Sequence, residues 1–263
     1  MIKRQQEQST ILKLEGVSRN FGGLQALTEV SYRVPEGIIQ AVIGPNGAGK
    51  TTLFNCISGL IPVTSGRIFF RDTRIDNLPA HRIASLGISR TFQHVALFKN
   101  MTVLENVMVG RHVKSHSGFM ACGFRLPFMR REERDIRDRA YEFLKFVGLE
   151  PEARKPAGSL PLGKQKILEI ARALATEPTL LLLDEPAGGL NAAETEELGE
   201  LIKRIKNLGI TVMIVEHDMN LVMEYSDRIL VLHFGHVLAE GTPSEVKNDE
   251  KVIEVYLGTT EAC

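Results

Sequence analysis

The chain has 263 residues, of which 43% are hydrophobic and 24% are charged, so it can bury a substantial core as one large domain or two lobes. Its 32 lysines and arginines balance its 32 aspartates and glutamates, which excludes the excess positive charge that binding to a nucleic-acid backbone favours. The 3 cysteines form neither a CxxC pair nor an even disulfide set, which favours a reducing, cytoplasmic setting.

The N-terminal residues 1–10 are polar and contain no apolar stretch of the kind found in a signal peptide, so we expect a flexible tail there. No apolar run approaches the ~20 residues that a membrane-spanning helix needs. We therefore expect the chain by itself to stay in the cytoplasm, outside the membrane.

The first strongly apolar run, residues 38–44, has the length of a strand, is rich in Val and Ile, and shows little alternation. These features are typical of a parallel strand that is covered on both faces. The run leads directly into GPNGAGKTT, which fits the phosphate-loop pattern G-x-x-x-x-G-K-[ST] between a strand and a helix. A glycine-rich turn without a ligand is the alternative interpretation.

The phosphate-loop interpretation gives each residue type in this segment a role. The glycines let backbone N–H groups curl around phosphate oxygens, Lys50 supplies a positive charge, and Thr51 supplies a hydroxyl for Mg²⁺. The residues that we expect to bind the nucleotide here are Gly44, Pro45, Asn46, Gly47, Ala48, Gly49, Lys50, Thr51 and Thr52.

The strand-like runs disappear between about residues 96 and 160. Within this stretch, residues 128–149 have the pattern of an amphipathic helix with a densely charged side, which we expect to be solvated. The sequence therefore predicts a mostly helical insertion in an α/β core.

The segment SLPLGKQKILEIARAL, residues 159–174, is predicted to form a tight turn followed by a helix with one apolar face. This helix begins without the Ser, Thr or Asp that usually caps an N-terminus. The missing cap raises the question of what the helix end faces.

Two further apolar runs, residues 179–185 and 211–217, have the same buried-strand character as the first, and a charged helical pattern over residues 192–209 separates them. This alternation predicts an α/β fold with a doubly wound parallel sheet. Ligands of such sheets bind beyond the carboxyl ends of the strands, so polar residues there should converge on the phosphate loop. These residues are Asp184, Glu185, Glu216 and His217.

Three of these side chains have chemistry that suits phosphoryl transfer. Asp184 is suited to hold magnesium, and Glu185 can orient or deprotonate an attacking water. For His217 we expect a contact with the γ-phosphate. Taken alone, the Asp-Glu pair is also typical of a solvated turn, and His217 of a core histidine.

The last elements of the chain offer little chemistry. Residues 227–241 predict a hairpin that turns at Phe234 and Gly235. Two histidine pairs have metal-compatible spacing, but no cysteine or carboxylate partner is evident from the sequence, so we expect them to be surface residues. The pairs are His112 with His116 and His233 with His236.

Together these motifs resemble those of the ATP-binding cassette (ABC) ATPases over nearly the whole chain. GPNGAGKTT resembles the Walker A loop, LLLLDEP the Walker B strand with its catalytic glutamate, RTFQ the Q-loop and AGGLN the D-loop. The resemblance implies ATP and Mg²⁺ as cofactors and catalytic roles for Glu185, the switch histidine His217 and Gln93. It also implies that Thr51, Gln93 and Asp184 hold Mg²⁺, the last through water.

The resemblance further implies a P-loop NTPase (RecA-like) core with an N-terminal antiparallel β lobe and a helical insertion. Residues 11–263 would form a single ABC ATPase domain. Its nucleotide-binding core would comprise residues 11–95 and 176–263, and the helical insertion with the signature segment residues 96–175. Phe21 lies where the family stacks an aromatic side chain on adenine, and a core aromatic is the alternative.

The unusual helix start resembles the family's signature segment, LSGGQ followed by a helix. In such proteins two cassettes close head to tail, and the signature helix of one points its N-terminus at the γ-phosphate held by the other. We therefore expect Leu160, Gly163 and Lys164 to contact the nucleotide. Lys164 replaces the glutamine and either reaches the phosphate or lies in water.

Two substitutions in this segment remove family features. Pro161 replaces the serine, which removes a charge-assisted hydrogen bond worth about 1.5–3 kcal/mol, and Leu162 replaces the first glycine. We expect the segment still to close over ATP but to contribute less to hydrolysis than a serine-bearing one.

Several segments are similar to the ATPase subunits of importers for branched-chain and related hydrophobic amino acids, amides or urea. These are EPAGGLN, VEHDMNLVMEYSDRILVL, GTPSEV, VIEVYLG and the extra length between Val107 and Glu142. The ATPase of lipopolysaccharide export is the runner-up. A soluble ABC ATPase of translation or DNA repair and a small-molecule kinase are further alternatives, but the single phosphate loop without a heptad tract argues against the former.

An importer subunit of this kind implies specific partners. They are a second ATPase subunit, identical or paralogous, integral membrane permease subunits, and indirectly a substrate-binding protein. The chain would then lie at the cytoplasmic face of the inner membrane, and the groove near Gln93 and residues 94–110 would receive a coupling helix. Internal packing is the alternative for the apolar residues there.

Overall fold

The fold comes from a computed structural model that describes residues 9–93, 95–111 and 127–257. Most of the expected tail over residues 1–10 and the pair His112 with His116 lie outside the described residues. The strands are β1 Thr10–Phe21, β2 Leu24–Pro35, β3 Ile39–Ile43, β4 Ser65–Phe70, β5 Thr73–Arg74, β6 Ile88–Arg90, β7 Leu180–Asp184, β8 Thr211–Val215, β9 Arg228–His233 and β10 His236–Gly241. The helices are α1 Lys50–Ile57, α2 Ala80–Leu86, α3 Val103–Arg111, α4 Pro127–Val147, α5 Leu162–Leu174, α6 Ala192–Asn207, α7 Met219–Tyr225, α8 Pro243–Lys247 and α9 Glu250–Leu257.

The strands form two sheets. A 4-stranded sheet has the order β2-β1-β4-β5 with antiparallel pairs, and a 6-stranded sheet has the order β10-β9-β3-β8-β7-β6. In the larger sheet every pair is parallel except β9 with β10. The expected α/β fold with an N-terminal antiparallel lobe is thus confirmed.

The three predicted central strands are β3, β7 and β8, and every residue in each of them is buried. Alternate side chains of one strand enter cores on opposite faces of the sheet. Ala41 and Ile43 pack against the helical side, whereas Val42 packs against the antiparallel sheet and α1. A strand buried on both faces needs apolar residues throughout, which is why these runs lack alternation.

The stretch predicted as the helical insertion with the signature segment, residues 96–175, contains α3, α4 and α5, which pack against one another. Ala140 and Leu144 place the apolar side of α4 in the core, while Asp135 and Asp138 on its charged side are exposed. α3 and α5 approach closely at Gly110, where a Cβ atom would lie 2.2 Å from the carbonyl oxygen of Arg172. Only glycine permits this approach of the two helices.

The predicted hairpin of β9 and β10 turns at Phe234 and Gly235, with His233 opposite His236. Its turn lies beneath the phosphate loop, because the Gly235 N–H donates to the Ala48 carbonyl at 3.1 Å. Within the described parts of the chain, no helix has both the length and the apolar character needed to cross a membrane.

Candidate functional site

The phosphate loop connects β3 to α1, and its glycines are required by the space around them. Gly44 has a φ of 151° and Gly49 a φ of 101°, both in the region that favours glycine. A Cβ atom at Gly44 would lie 2.1 Å from the Leu232 carbonyl oxygen, and one at Gly49 would lie 2.5 Å from that of Ala26. The backbones of β9 and β2 therefore lie too close to the loop for any side chain at these two positions.

Lys50 is the first residue of α1, and its side chain extends back into the loop that precedes the helix. Its ammonium group donates to the carbonyl oxygens of Gly44 at 2.7 Å and Pro45 at 2.9 Å. Burial lowers the pKa of Lys50, and the carboxylates of Glu185 and Asp184 oppose that shift. The positive charge is thus placed at the loop and faces the two carboxylates at the end of β7.

The C-terminal helix α9 also supports the phosphate loop. A hydrogen bond from the Gly44 backbone to the phenol oxygen of Tyr256 lowers the pKa of this tyrosine, although burial raises it more. No pattern in the sequence predicts this contact, because more than half of the chain separates the two residues.

Asp184, at the end of β7, has a partner that the sequence analysis missed. One of its carboxylate oxygens, Oδ2, accepts a hydrogen bond from Arg90 at 2.7 Å, and the two side chains are 1% and 7% exposed. Arg90 also donates to Asn55 at 2.7 Å and to Ser58 at 3.0 Å. The signal in the sequence is an arginine in the short strand β6, three residues before Gln93.

Glu185 brings the three predicted catalytic side chains together. Its Oε2 accepts a hydrogen bond from Gln93 at 2.8 Å, and its Oε1 lies 3.0 Å from Nε2 of His217. His217 is exposed, so it is not the core histidine that was the alternative. The segment after β6 and the ends of β7 and β8 therefore converge at one carboxylate.

Glu216, beside the switch position, shapes the backbone of the site. Its buried carboxylate accepts hydrogen bonds from the N–H groups of Ala187 at 2.6 Å and His217 at 3.0 Å. Burial raises the pKa of Glu216, and these hydrogen bonds together with the charge of Lys166 oppose the rise. The sequence placed Glu216 at the strand end but assigned it no role.

The site opens into a cleft of about 300 Å³ that the phosphate loop and the catalytic side chains share. Phe21, at the end of β1, lines this cleft and is 43% exposed, so it is not a core aromatic. The Arg19 guanidinium lies 4.5 Å from the centre of its ring. The lining comprises Phe21, Leu24, Gln25, Ala26, Asn46, Gly47, Ala48, Gly49, Lys50, Thr51, Thr52, Glu185 and His217.

The signature-like segment lies outside the cleft of its own chain. Leu160 and Gly163 are buried, and α5 begins after Pro161 without a side-chain hydrogen bond to cap it. Lys164 is exposed and forms an ion pair with Glu152 of the same chain. Its expected contact with the phosphate of a second subunit stays a prediction.

Two of the three residues expected to hold Mg²⁺, Asp184 and Thr51, offer oxygen atoms that fit a hard cation. Asp184 Oδ1 is buried without a hydrogen-bond partner, which leaves one carboxylate oxygen of the Arg90–Asp184 pair available. Thr51 lies at the start of α1 and lines the cleft. The described residues contain no group of three or more His, Cys, Asp or Glu side chains that would form a protein-only metal cage, and Mg²⁺ usually relies on few carboxylates plus substrate phosphates.

Two family models match the chain. One, described as ABC transporter, matches residues 27–188. The other, described as branched-chain amino acid ATP-binding cassette transporter, matches residues 236–262. A curated relative, the high-affinity branched-chain amino acid transport ATP-binding protein LivG of Salmonella typhimurium, is 46% identical and covers 94% of this chain and 98% of its own.

Solved structures with this fold include ABC cassettes. The ADP conformation of MJ1267, an ATP-binding cassette of an ABC transporter, is 34% identical with a TM-score of 0.83 and covers 95% of this chain and 99% of its own. The dimeric post-hydrolysis state of the cassette MJ0796, bound to ADP and Pi, is 29% identical with a TM-score of 0.75 and covers 88% and 98%.

Proposed function

Because the chain belongs to the ABC transporter family of ATPases, we propose that it powers the uptake of branched-chain or related hydrophobic amino acids across the cytoplasmic membrane. The match of residues 236–262 to a model of branched-chain amino acid cassettes supports this substrate class. So does the similarity to LivG, which extends over 94% of the chain.

The observation that carries the hydrolytic function is the position of Glu185. Its carboxylate lies between Gln93 and His217 and lines the same cleft as the phosphate loop. A carboxylate in this place can accept the proton of an attacking water while the bond between the γ-phosphate and ADP breaks. We assign Glu185 as the general base, with Gln93 and His217 orienting it.

The remaining cleft residues bind the nucleotide in this proposal. Backbone N–H groups between Gly44 and Thr52 surround the phosphates, Lys50 offsets their charge, and Phe21 stacks on the adenine. Mg²⁺ held by Thr51, Gln93 and Asp184 would neutralise part of the phosphate charge. The unpaired Oδ1 of Asp184 supports its role toward the ion.

We further propose that two ATPase subunits complete each site. None of Leu160, Gly163 and Lys164 lines the cleft of this chain, which supports their contacting the nucleotide of a second subunit. The solved MJ0796 cassette is a dimer. In this arrangement the pair binds beneath membrane permease subunits at the cytoplasmic face, and a substrate-binding protein delivers the substrate on the other side.

Lipopolysaccharide export is not favoured, because the C-terminal segment matches the branched-chain model. The direct test is transport by the chain assembled with its membrane permease subunits and reconstituted in liposomes with ATP on the ATPase side. We expect ATP-dependent accumulation of labelled leucine that requires the binding protein and is lost in Glu185→Gln. Hydrolysis of ATP without accumulation of leucine, a related amino acid, an amide or urea would contradict the proposed import.

A further inference from the structure

Lys166 is a buried lysine that the proposed mechanism does not use. It lies in the N-terminal part of α5, the signature-like helix, and is 8% exposed. Its ammonium group donates a hydrogen bond at 3.0 Å to the backbone carbonyl of Glu185. Lys166 does not line the nucleotide cleft. It therefore contacts the catalytic glutamate through its backbone carbonyl and not through its carboxylate.

The backbone of Glu185 needs such support. Glu185 has a φ of 49°, which is uncommon for a residue other than glycine. Strained residues of this kind persist only where their surroundings hold them in place. The Glu185 N–H donates to Val215 at 2.9 Å, and its carbonyl accepts from Gly188 at 3.2 Å as well as from Lys166. Lys166 is the contact that comes from a separate helix.

The surroundings of Lys166 favour a charged group at this point. Burial lowers the pKa of Lys166, and the carboxylates of Glu216, Glu169 and Glu185 oppose that shift. Glu216 and Glu169 are themselves buried, and Glu169 accepts a hydrogen bond from the Ala96 N–H at 2.7 Å. An apolar side chain would fill the same space without the cost of burying a charge, so packing alone does not explain a lysine at this position. A lysine adds directional contacts that an apolar residue lacks.

We propose that Lys166 is a positioning residue that ties the signature helix α5 to the catalytic Glu185 of the same chain. The inference rests on the proposed function, because it assumes that Glu185 is the general base. In the proposed dimer, the N-terminus of α5 faces the nucleotide of the other subunit. A shift of α5 on engaging that nucleotide would therefore reach Glu185 in the site of its own chain.

The test compares Lys166→Met with the wild type in the complex with the membrane subunits. We expect kcat for ATP hydrolysis to fall about tenfold or more, since small displacements of a catalytic group have large effects on rate. KM and the affinity for ATP should stay within about twofold, because no ground-state contact with the nucleotide is lost. Lys166→Arg keeps the charge and the donor and should restore part of kcat.

The matched control is Lys203→Met on α6, an exposed lysine whose ion pair with Glu200 lies on the surface. It should hydrolyse ATP at the wild-type rate. An effect through Glu185 also predicts that Lys166→Met causes no further loss in a Glu185→Gln background. If Lys166→Met does not assemble, Lys166→Gln replaces it in every comparison.

The outcomes separate this inference from the proposed function. Wild-type protein that lacks ATPase activity would overturn the proposed function itself. An active wild type with an equally active Lys166→Met would overturn only the role of Lys166. So would a loss of ATP affinity, an Arg variant no better than Met, or an additive loss in the Glu185→Gln background.

Discussion

At the scale of single residues, the pair of Arg90 and Asp184 shows which part of the site could be predicted from the sequence and which could not. The position of Asp184 after four leucines identified it as a candidate ligand. Its partner lies 94 positions earlier in the chain, and no local pattern connects the two. A buried carboxylate requires a counter-charge or hydrogen bonds, but only the fold determines which residue supplies them.

We predict that Arg90→Met lowers the free energy of unfolding by about 3–5 kcal/mol, because it leaves the buried Asp184 carboxylate without its partner. Urea unfolding of the purified chain measures the change. Arg134→Met, on the exposed side of α4, is the control and should change stability by less than about 0.5 kcal/mol. Equal stability of the two variants would contradict the importance of the pair.

A second prediction concerns the pH dependence of stability. Burial raises the pKa of Glu169 above its ordinary 4.5, against a hydrogen bond from Ala96 and the charges of Arg172 and Lys166. At pH values between the pKa of Glu169 in the unfolded chain and its raised pKa in the folded protein, the folded protein binds more protons than the unfolded chain. The contribution of Glu169 to stability therefore falls as the pH rises through this window.

Glu169→Gln removes this titration and keeps an oxygen that can accept from the Ala96 N–H. The difference in free energy of unfolding, variant minus wild type, should therefore increase as the pH rises from 4.5 toward neutrality. Urea unfolding at several pH values gives this difference. A difference that stays constant or decreases over the window would show that burial does not raise the pKa of this carboxyl.

At the scale of secondary-structure elements, the sequence predicted best the strands that are buried on both faces. β3, β7 and β8 are continuous apolar runs, and their predicted ends lie within two residues of the observed ones. The antiparallel sheet was expected from the family resemblance alone. Register shifts interrupt the pairing of β1 with β2 and with β4, which obscures the alternation of a half-buried strand.

The helix α5 was predicted, but its surroundings were not. A turn followed by a helix was predicted over residues 159–174, and the observed helix begins at Leu162 and ends at Leu174. Lys164 pairs with Glu152, which lies in a short 3-10 turn of the insertion. The sequence therefore shows which end of the helix is unusual, but only the fold shows that Lys164 pairs with an acidic residue of the insertion.

We predict that the assembled complex hydrolyses ATP faster than the wild type when the signature segment carries a serine. The double substitution Pro161→Ser with Leu162→Gly adds a hydroxyl next to the helix N-terminus, and a charge-assisted hydrogen bond of about 1.5 kcal/mol corresponds to roughly tenfold in rate. Turnover is measured in the assembled complex. Pro161→Ala with Leu162→Ala removes the same side chains without adding the hydroxyl and should show no such gain. Unchanged or slower turnover in the serine variant would contradict the expectation.

At the scale of the whole molecule, each chain supplies two separate parts of the proposed machinery. The phosphate loop, Glu185 and His217 line one cleft, while the start of α5 lies outside it. Lys166 connects the two parts inside the chain. In the proposed dimer, the second ATPase subunit brings a helix N-terminus to the bound triphosphate, so the functional unit in this account is a pair of subunits.

The most direct test of the central claim is the distance between the two ATPase subunits of the assembled transporter. Pulsed electron paramagnetic resonance measures this distance between two spin labels. One label is attached at Lys203→Cys, an exposed site on α6, and the other at the corresponding position of the other subunit. In a Glu185→Gln background, MgATP should shift the distribution to a single short distance, and nucleotide-free protein should keep a longer one. An unchanged distribution in protein that demonstrably binds ATP would contradict closure of two subunits around the nucleotide.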